Sequence, residues 1–403
     1  MAVQPGMVGS GWGRIRGGHR AGCGGTMVRP GMVGSGWGRS GGGHCAGSGG
    51  STVIDVAVVS FAQRQEASIS GESEVEFMVP LMEQAKAAVG LTQAEVGFTC
   101  SGSSDFLAGQ AFSFVMTIDG TGPVPPISES HVEQDGAWAL YEAWVKIQCG
   151  GIDTAFVYGY GKSSPGSLRD VLATQMDPYY VCPLWPDSYA VEALAARLML
   201  EGGHVSERRL AEIAARSRSS AASNPHAVRA EPKSVDEILA EERVVDPLRP
   251  SDLPAEADGG CAVVLAAGDR ARELCERPAW IRGIDHRSDA HTLGVRDLTS
   301  SMSARLAAQR AGVADDKVDL AELHGPFTTS EHLLIDALGL DEDATAINPS
   351  GGALAAHTMM GSGLIRIGEA ASRLWRGDGD RAVAHATSGP CLQQNLVCVL
   401  EGD

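Results

Sequence analysis

The chain lacks any uninterrupted apolar run of the roughly 18 residues a membrane helix needs, so no membrane span is expected. Its first residues have no compact apolar core of the kind a secretory signal carries, and export is not expected either. The nine cysteines contain no Cys-x-x-Cys pair and no Cys/His spacing suited to zinc. Scattered in this way they suit free thiols in a reducing compartment, and no metal site is expected. Basic side chains are scarce: 32 Lys and Arg stand against 50 Asp and Glu, a net charge of −18. That balance opposes any general affinity for nucleic acid. A cytoplasmic protein without a membrane or nucleic-acid partner is the expectation.

The 403 residues, 43% of them hydrophobic, are enough to bury a substantial core. Residues 1–50 are set apart. PGMVGSGWGRIRGGHRAGCGG (Pro5–Gly25) is echoed by PGMVGSGWGRSGGGHCAGSGG (Pro30–Gly50). So much glycine offers little to bury and loses much backbone entropy on ordering, so this tandem repeat is expected to be disordered. Extension of the reading frame upstream of a natural start would explain it. Its Cys23, Cys45, His19 and His44 have no spacing that supports a metal site. Five of the basic residues and none of the acidic ones lie there, so the remainder carries 27 basic against 50 acidic side chains. A phosphate-bearing ligand would need a local basic site.

From Val53 the pattern alternates between buried strands and helices. VIDVAVVS (Val53–Ser60), Thr154–Tyr160 and Gly259–Gly268 read as strands; Ser73–Gly90 and Ala137–Ile147 read as helices. Thr92 and Glu95 form a capping-box pattern. Residues of about 162–245 differ, with Pro and Tyr clusters followed by helical patterns over Val191–Leu200 and Ser206–Ser219. They read as a mostly helical cap. A second β/α series follows from Trp280, with helices over Ser300–Gly312 and Gly361–Trp375, a strand into Glu322, and strands at Arg381–Ala386 and Asn395–Glu401. The expected division is residues 51–270, including the insertion, and 271–403. Ligands in such α/β folds lie where loops leave the C-terminal ends of strands.

Four stretches sit at such junctions: SHVEQDGAWAL, ELHGPF, NPSGGALAAHTMMGSG and HATSGPCLQQN. With DPLRPSDLPAEADGGCAVVLA (Asp246–Ala266), their order resembles the thiolase superfamily, and within it the sterol-carrier branch. Glu322–Glu331 is similar to that branch's histidine-bearing stretch, with Gly325 and Pro326 departing from it. Asn348–Gly363 is similar to the glycine-glycine to glycine-histidine-proline segment, one residue shorter and with Thr358 in place of proline. The resemblance implies an α/β fold of two similar βαβ-type halves in five layers, α/β/α/β/α, and a dimer.

It also implies a site. The run Glu133-Gln134-Asp135-Gly136-Ala137 matches the one in which thiolases carry their nucleophilic cysteine, and it contains none. Glu133 or Asp135 reads as a catalytic base or simply as a helix cap. By resemblance, His324 and His357 belong to the oxyanion environment of a thioester; each reads equally as a structural histidine. Ser350, Gly351 and Gly352 match the turn near the pantetheine arm. Cys391 lies near the family's second cysteine, although Thr387 or Ser388 also fits that position, and an unreactive buried cysteine is the plainer reading. Arg216 and Arg218, with Arg208, Arg209, Lys162 and Arg169, are candidates for the phosphates of coenzyme A. Tyr179, Tyr180, Trp185 and Tyr189 either wall an acyl tunnel or pack the cap.

Without the cysteine three activities stay open. One is retro-aldol cleavage of a β-hydroxyacyl-CoA with a steroid or other lipid side chain, which needs no covalent intermediate. Cysteine-less relatives of this kind work with a small OB-fold acyl-CoA-binding partner and use tyrosines where this chain has His324 and His357. The others are acyl transfer through another nucleophile, and a silent subunit that binds or transfers a lipid thioester. Coenzyme A enters only as part of the substrate, with no tightly bound cofactor expected.

Overall fold

The computed structural model describes residues 53–403, so the tandem repeat and its histidines and cysteines lie outside the described residues. Ten strands form one sheet: β1 (Val56–Glu66), β2 (Phe98–Gly102), β3 (Glu129–Val132), β4 (Thr154–Gly161), β5 (Asp258–Ala267), β6 (Ala279–Ser288), β7 (Leu320–Glu322), β8 (Ala346–Ile347), β9 (Arg381–Ser388) and β10 (Gln394–Glu401). Their order is β3-β2-β4-β5-β1-β6-β10-β9-β7-β8. Read outward from the centre, β1-β5-β4-β2-β3 and β6-β10-β9-β7-β8 follow the same rule. In each half the outer three strands are parallel and the inner two run antiparallel to their neighbours. Within the sheet, the strands of the two halves pair through Ala57–Trp280 and Val58–Ala279.

Seven longer helices cover this sheet: α1 (Glu74–Ala88), α2 (Gly136–Gln148), α3 (Ser188–Glu201), α4 (Glu207–Ala221), α5 (Met302–Ala311), α6 (Thr328–Leu338) and α7 (Ser362–Arg376). Alternation along each strand assigns its side chains to layers. Val56, Val58, Val263 and Leu265 pack with Ala384, Leu396 and Cys398 around α2 and α7, which form the middle layer. Ala57, Val59, Ala262 and Val264 face α1 on one outer side, while Val383, Val397 and Val399 face α5 and α6 on the other. This is the expected five-layer α/β/α/β/α arrangement. Both strand faces are covered, which is why the central strands read as continuous apolar runs rather than alternating ones.

Most expected elements recur with shifted ends. β1 begins later than Val53 and runs on to Glu66, because Gln63, Arg64 and Gln65 pair with Gly259–Cys261 despite their polarity. The capping box of Thr92 and Glu95 opens a single 3-10 turn. Strands β2, β3 and β8 carry no signal in the sequence; they are short, and β3 is only half-buried. The insertion folds over the opposite half of the molecule. Met199 and Leu210 join the core of α5 and α6, and Ala193 and Ala196 pack with Leu248, Leu253 and Phe327.

One residue fixes how α2 and α7 meet. Asp135 is 1% exposed, and its Oδ1 accepts the N–H of Ala137 (2.9 Å) at the start of α2. The same carboxyl accepts the N–H groups of Gly363 (2.8 Å) and Leu364 (3.0 Å) at the start of α7. Both helix N-termini thus share one anion, which satisfies otherwise unpaired N–H groups and both dipoles. Glycine permits the approach: a Cβ on Gly363 would lie 2.6 Å from Asp135 Oδ1, and one on Gly136 2.9 Å from Leu364. Asp135→Ala is expected to lower unfolding stability by about 3 kcal/mol, because it removes two caps at once and leaves buried donors unpaired. Chemical denaturation measures this, and a loss no larger than that of a single exposed cap would contradict the shared role.

Candidate active site

The C-terminal ends of the parallel strands in both halves open onto one cavity of about 400 Å³. Its walls come from the loop after β3, from the insertion, from the segment after β7, from the turn before α7 and from the loop after β9. Apolar side chains dominate, among them Leu168, Leu172, Met176, Phe327, Met359 and Leu392.

His324 and His357 meet on this wall with their Nε2 atoms 3.0 Å apart. The peptide N–H of Thr387 donates to His324 Nδ1 (3.3 Å), which assigns the proton of that ring to Nε2. His324 therefore donates to His357, whose own proton lies on Nδ1, a buried atom without a partner among the described residues. Backbone bonds to Ala255 and Ala257 hold His357 against the strand leading into β5. Burial holds the His324 imidazole well below its ordinary range, with His357, His385 and Arg366 acting the same way. His357 is lowered to about 4, by burial and then by Arg366. The pair is thus two neutral imidazoles, with the His324 proton shared with His357 and the cationic form disfavoured.

The two acids of the loop after β3 divide in function. Asp135 is the cap, with both oxygens occupied by backbone N–H groups, so its reading as a base gives way to the structural one. Glu133 is half-exposed at the cavity rim. Its Oε1 accepts the N–H of Asp105 (2.7 Å), and its Oε2 lies 3.6 Å from His131 Nε2. It caps neither long helix. Asp105, His131 and Glu133 bring ligand atoms within 4.8 Å of one another, but both Asp105 oxygens already accept N–H groups, from Phe112 and Ser113.

Cys391 lines the cavity, where burial and the neighbouring Glu192 push its thiol well above the ordinary range. Its Sγ points at the carbonyl of Val191 (3.8 Å). An activated thiolate needs the opposite surroundings. Ser350, Gly351 and Gly352 lie away from the cavity. Ser350 is fixed by Glu322 and Arg366, a buried ion pair at 2.9 Å. Gly351 (φ 95°) and Gly352 (φ 65°) turn the chain where a Cβ would meet Ala221 at 2.7 Å and Asn348 at 2.6 Å. Their glycine requirement comes from protein contacts.

The expected phosphate ligands are likewise occupied. Arg216 pairs with Glu331 (2.6 Å) and Glu342, and Arg218 is buried against the carbonyl of Glu231 and the hydroxyl of Ser251. Arg208 and Arg209 pair with acids of the same helix, Arg209 also with Glu342. Lys162 donates to the carbonyl of Glu72. Arg169 lines an open recess that shares Leu168, Tyr189, Pro254 and Glu256 with the cavity; it lies 4.3 Å from the Tyr189 ring centroid and pairs with Asp187. Arg229, which the sequence did not single out, lines the same open recess and donates to the carbonyls of Pro250, Leu253 and Pro254, with no carboxylate partner among the described residues. Of the four aromatics, Tyr189 lines the cavity, whereas Tyr179, Tyr180 and Trp185 are exposed.

Sequence reasoning also missed Glu192, a buried acid on the cavity wall. Its signal was present: it falls in the stripe Glu192, Ala195, Ala196 and Met199, the buried face of α3.

This is the thiolase fold. Human mitochondrial 3-ketoacyl-CoA thiolase superposes with a TM-score of 0.69 over 87% of this chain and 99% of that one, at 16% identity. A solved structure described as the Ltp2-ChsH2(DUF35) aldolase gives a TM-score of 0.72 over 87% and 98%, at 21% identity. Among curated proteins the relatives are thiolases and sterol carrier proteins. Acetyl-CoA acetyltransferase of Methanothermobacter thermautotrophicus is 26% identical over 296 residues, 67% of this chain and 76% of that protein. Sterol carrier protein 2 of Gallus gallus is 24% identical over 383 residues, 85% of this chain and 69% of that protein. No family model matches the chain.

The depressed histidines set a pH dependence. In the unfolded chain they take up protons near pH 6.5, whereas folded His357 resists until about pH 4. The unfolded state binds more protons between those values, so this contribution favours folding above about pH 6.5 and is lost as pH falls through the window. Buried Glu192, Glu322 and Glu331, all pushed up, act with the opposite sign. The test is therefore differential. His357→Gln removes one such histidine, so its stability relative to wild type is expected to improve by roughly 2 kcal/mol between pH 7.5 and pH 5. Parallel melting curves at both pH values measure it; a constant gap would show that the ring is not held neutral.

Proposed function

We propose that this protein binds an acyl-CoA in the cavity and cleaves a β-hydroxyacyl-CoA by a retro-aldol reaction. The observation that carries the reading is the neutral His324–His357 pair, which lines an apolar cavity with the Glu133 carboxylate at its rim. Transfer of the β-hydroxyl proton to Glu133 starts the reaction. The Cα–Cβ bond then breaks, its electron pair becomes the thioester enolate, and the β-carbon leaves as a ketone or aldehyde. The enolate oxygen takes the His324 Nε2–H in place of His357 Nε2, and Cα takes up a proton to give the shortened acyl-CoA. A fixed donor aimed at a developing oxyanion contributes about 3–4 kcal/mol without any covalent step. The thiol of Cys391, held protonated, supports this over a covalent route.

Arg169 and Arg229 stand where the recess joins the cavity, and we assign them to the coenzyme A phosphates in place of Arg216 and Arg218. A lipid acyl group, of which a steroid side chain is one kind, suits the apolar lining. Similarity to an aldolase named for two components supports a partner protein, with the small OB-fold acyl-CoA-binding class as the expectation, and a homodimer completes the reading.

Acyl transfer is the competing activity, favoured by the names of the relatives. Free coenzyme A separates the two. Incubation with β-hydroxyacyl-CoA, with and without co-purified partner, is expected to release ketone or aldehyde with no added coenzyme A. Glu133→Gln is expected to lower that rate about 100-fold or more, and His324→Ala by about 100- to 1,000-fold. Shortening of a β-ketoacyl-CoA only when coenzyme A is supplied would establish acyl transfer instead. Binding without turnover, unchanged in both variants, would leave a carrier.

A further inference from the structure

Glu192 is 4% exposed, on the face of α3 that closes the cavity. Its Oε1 accepts two hydroxyl donors, Thr329 (2.6 Å) and Ser330 (2.9 Å), from the first turn of α6. No hydroxyl or N–H among the described residues bonds Oε2, and the thiol of Cys391, a weak donor, lies beside the carboxyl. No basic side chain forms an ion pair with it among the described residues. Burial pushes its carboxyl up, toward the protonated acid. An acid placed in an apolar wall with one oxygen poorly satisfied is costly unless something else completes its bonding.

The position separates Glu192 from the reacting atoms. Thr387 touches His324 at one end of the loop after β9, and Cys391 touches the Val191–Glu192 segment at the other. The two groups therefore address different parts of one bound acyl chain. We propose that Glu192 is a specificity residue: its carboxyl forms a hydrogen bond with a hydroxyl or carbonyl oxygen of the acyl group, beyond the thioester and the β-carbon. The substrate is then an oxygenated lipid acyl-CoA rather than a plain hydrocarbon one. This inference rests on the reading that the cavity takes an acyl-CoA.

Anchoring α3 to α6 is the plainer role for the same contacts, and it makes no demand on the ligand. The experiment uses stable thioether analogues of acyl-CoA, so that binding is read without turnover. One analogue carries an unsubstituted alkyl chain, and a series of equal length moves a single hydroxyl outward from the γ-carbon. Calorimetric titration of the full chain is expected to show one hydroxylated member binding at least about tenfold more tightly than the alkyl form. Glu192→Gln keeps an acceptor for Thr329 and Ser330 and a donor for the ligand, and is expected to keep that preference. Glu192→Met is expected to lose or reverse it, with melting curves of both variants confirming that they fold. Equal binding of the whole series by wild type, or a preference unchanged in Glu192→Met, would overturn the specificity role and leave anchoring. Failure of every thioether to bind would overturn the acyl-CoA reading, and this inference with it.

Discussion

The geometry of the site depends on one buried carboxylate shared by two helices. α2 belongs to the first half of the sheet and α7 to the second, and Asp135 accepts N–H groups from both. Their N-termini are thereby held together at the cavity, and Gly136 adds a backbone bond to Met360 at 2.8 Å. The loop carrying Glu133 and the turn carrying His357, Met359 and Met360 are the segments that enter these two helices. Fixing the helix ends fixes those side chains relative to one another. A small error at this junction would move the carboxylate and the imidazoles apart, which is why the nearby glycines leave no room for a Cβ.

Charge behind the site acts with the same economy. Arg366 is buried on α7 and paired with Glu322 and Ser350. Its field is one reason His324 and His357 stay neutral, burial being the larger. A neutral imidazole carries no charge that its burial would have to desolvate. His385 extends this neutral layer: it is lowered to about 4 by burial and bonded to Asn395 at 2.9 Å.

What the sequence reveals follows from what local pattern can encode. Long apolar strands and capped helices stand out because each carries its period within a few residues, so both halves and the insertion were legible. β2 and β3 were not, because each is short and is fixed by pairing with distant segments, β2 with both β3 and β4, which leaves no period of its own. The division between Glu133 and Asp135 was equally hidden. Both precede the same helix, and only the arrival of Gly363 and Leu364, more than two hundred residues on, identifies the cap. Arg216 resembled a free cation because its acid partners, Glu331 and Glu342, belong to another segment. The need for glycine at Gly351 and Gly352 was legible in the turn, whereas the atoms they approach were not.

Two of the carboxyls that line the cavity stand in opposite surroundings, and that contrast bears on the proposed reaction. Glu133 stands at the rim, half-exposed, with an N–H on one oxygen and His131 near the other. Glu192 sits in the wall, with only hydroxyl and thiol neighbours. Burial pushes the enclosed Glu192 carboxyl up, whereas Glu133 stays in contact with solvent. In the proposed retro-aldol reading, Glu133 serves as the proton acceptor, the histidine pair as the oxyanion site, and Glu192 as the polar contact that selects which chain is placed between them.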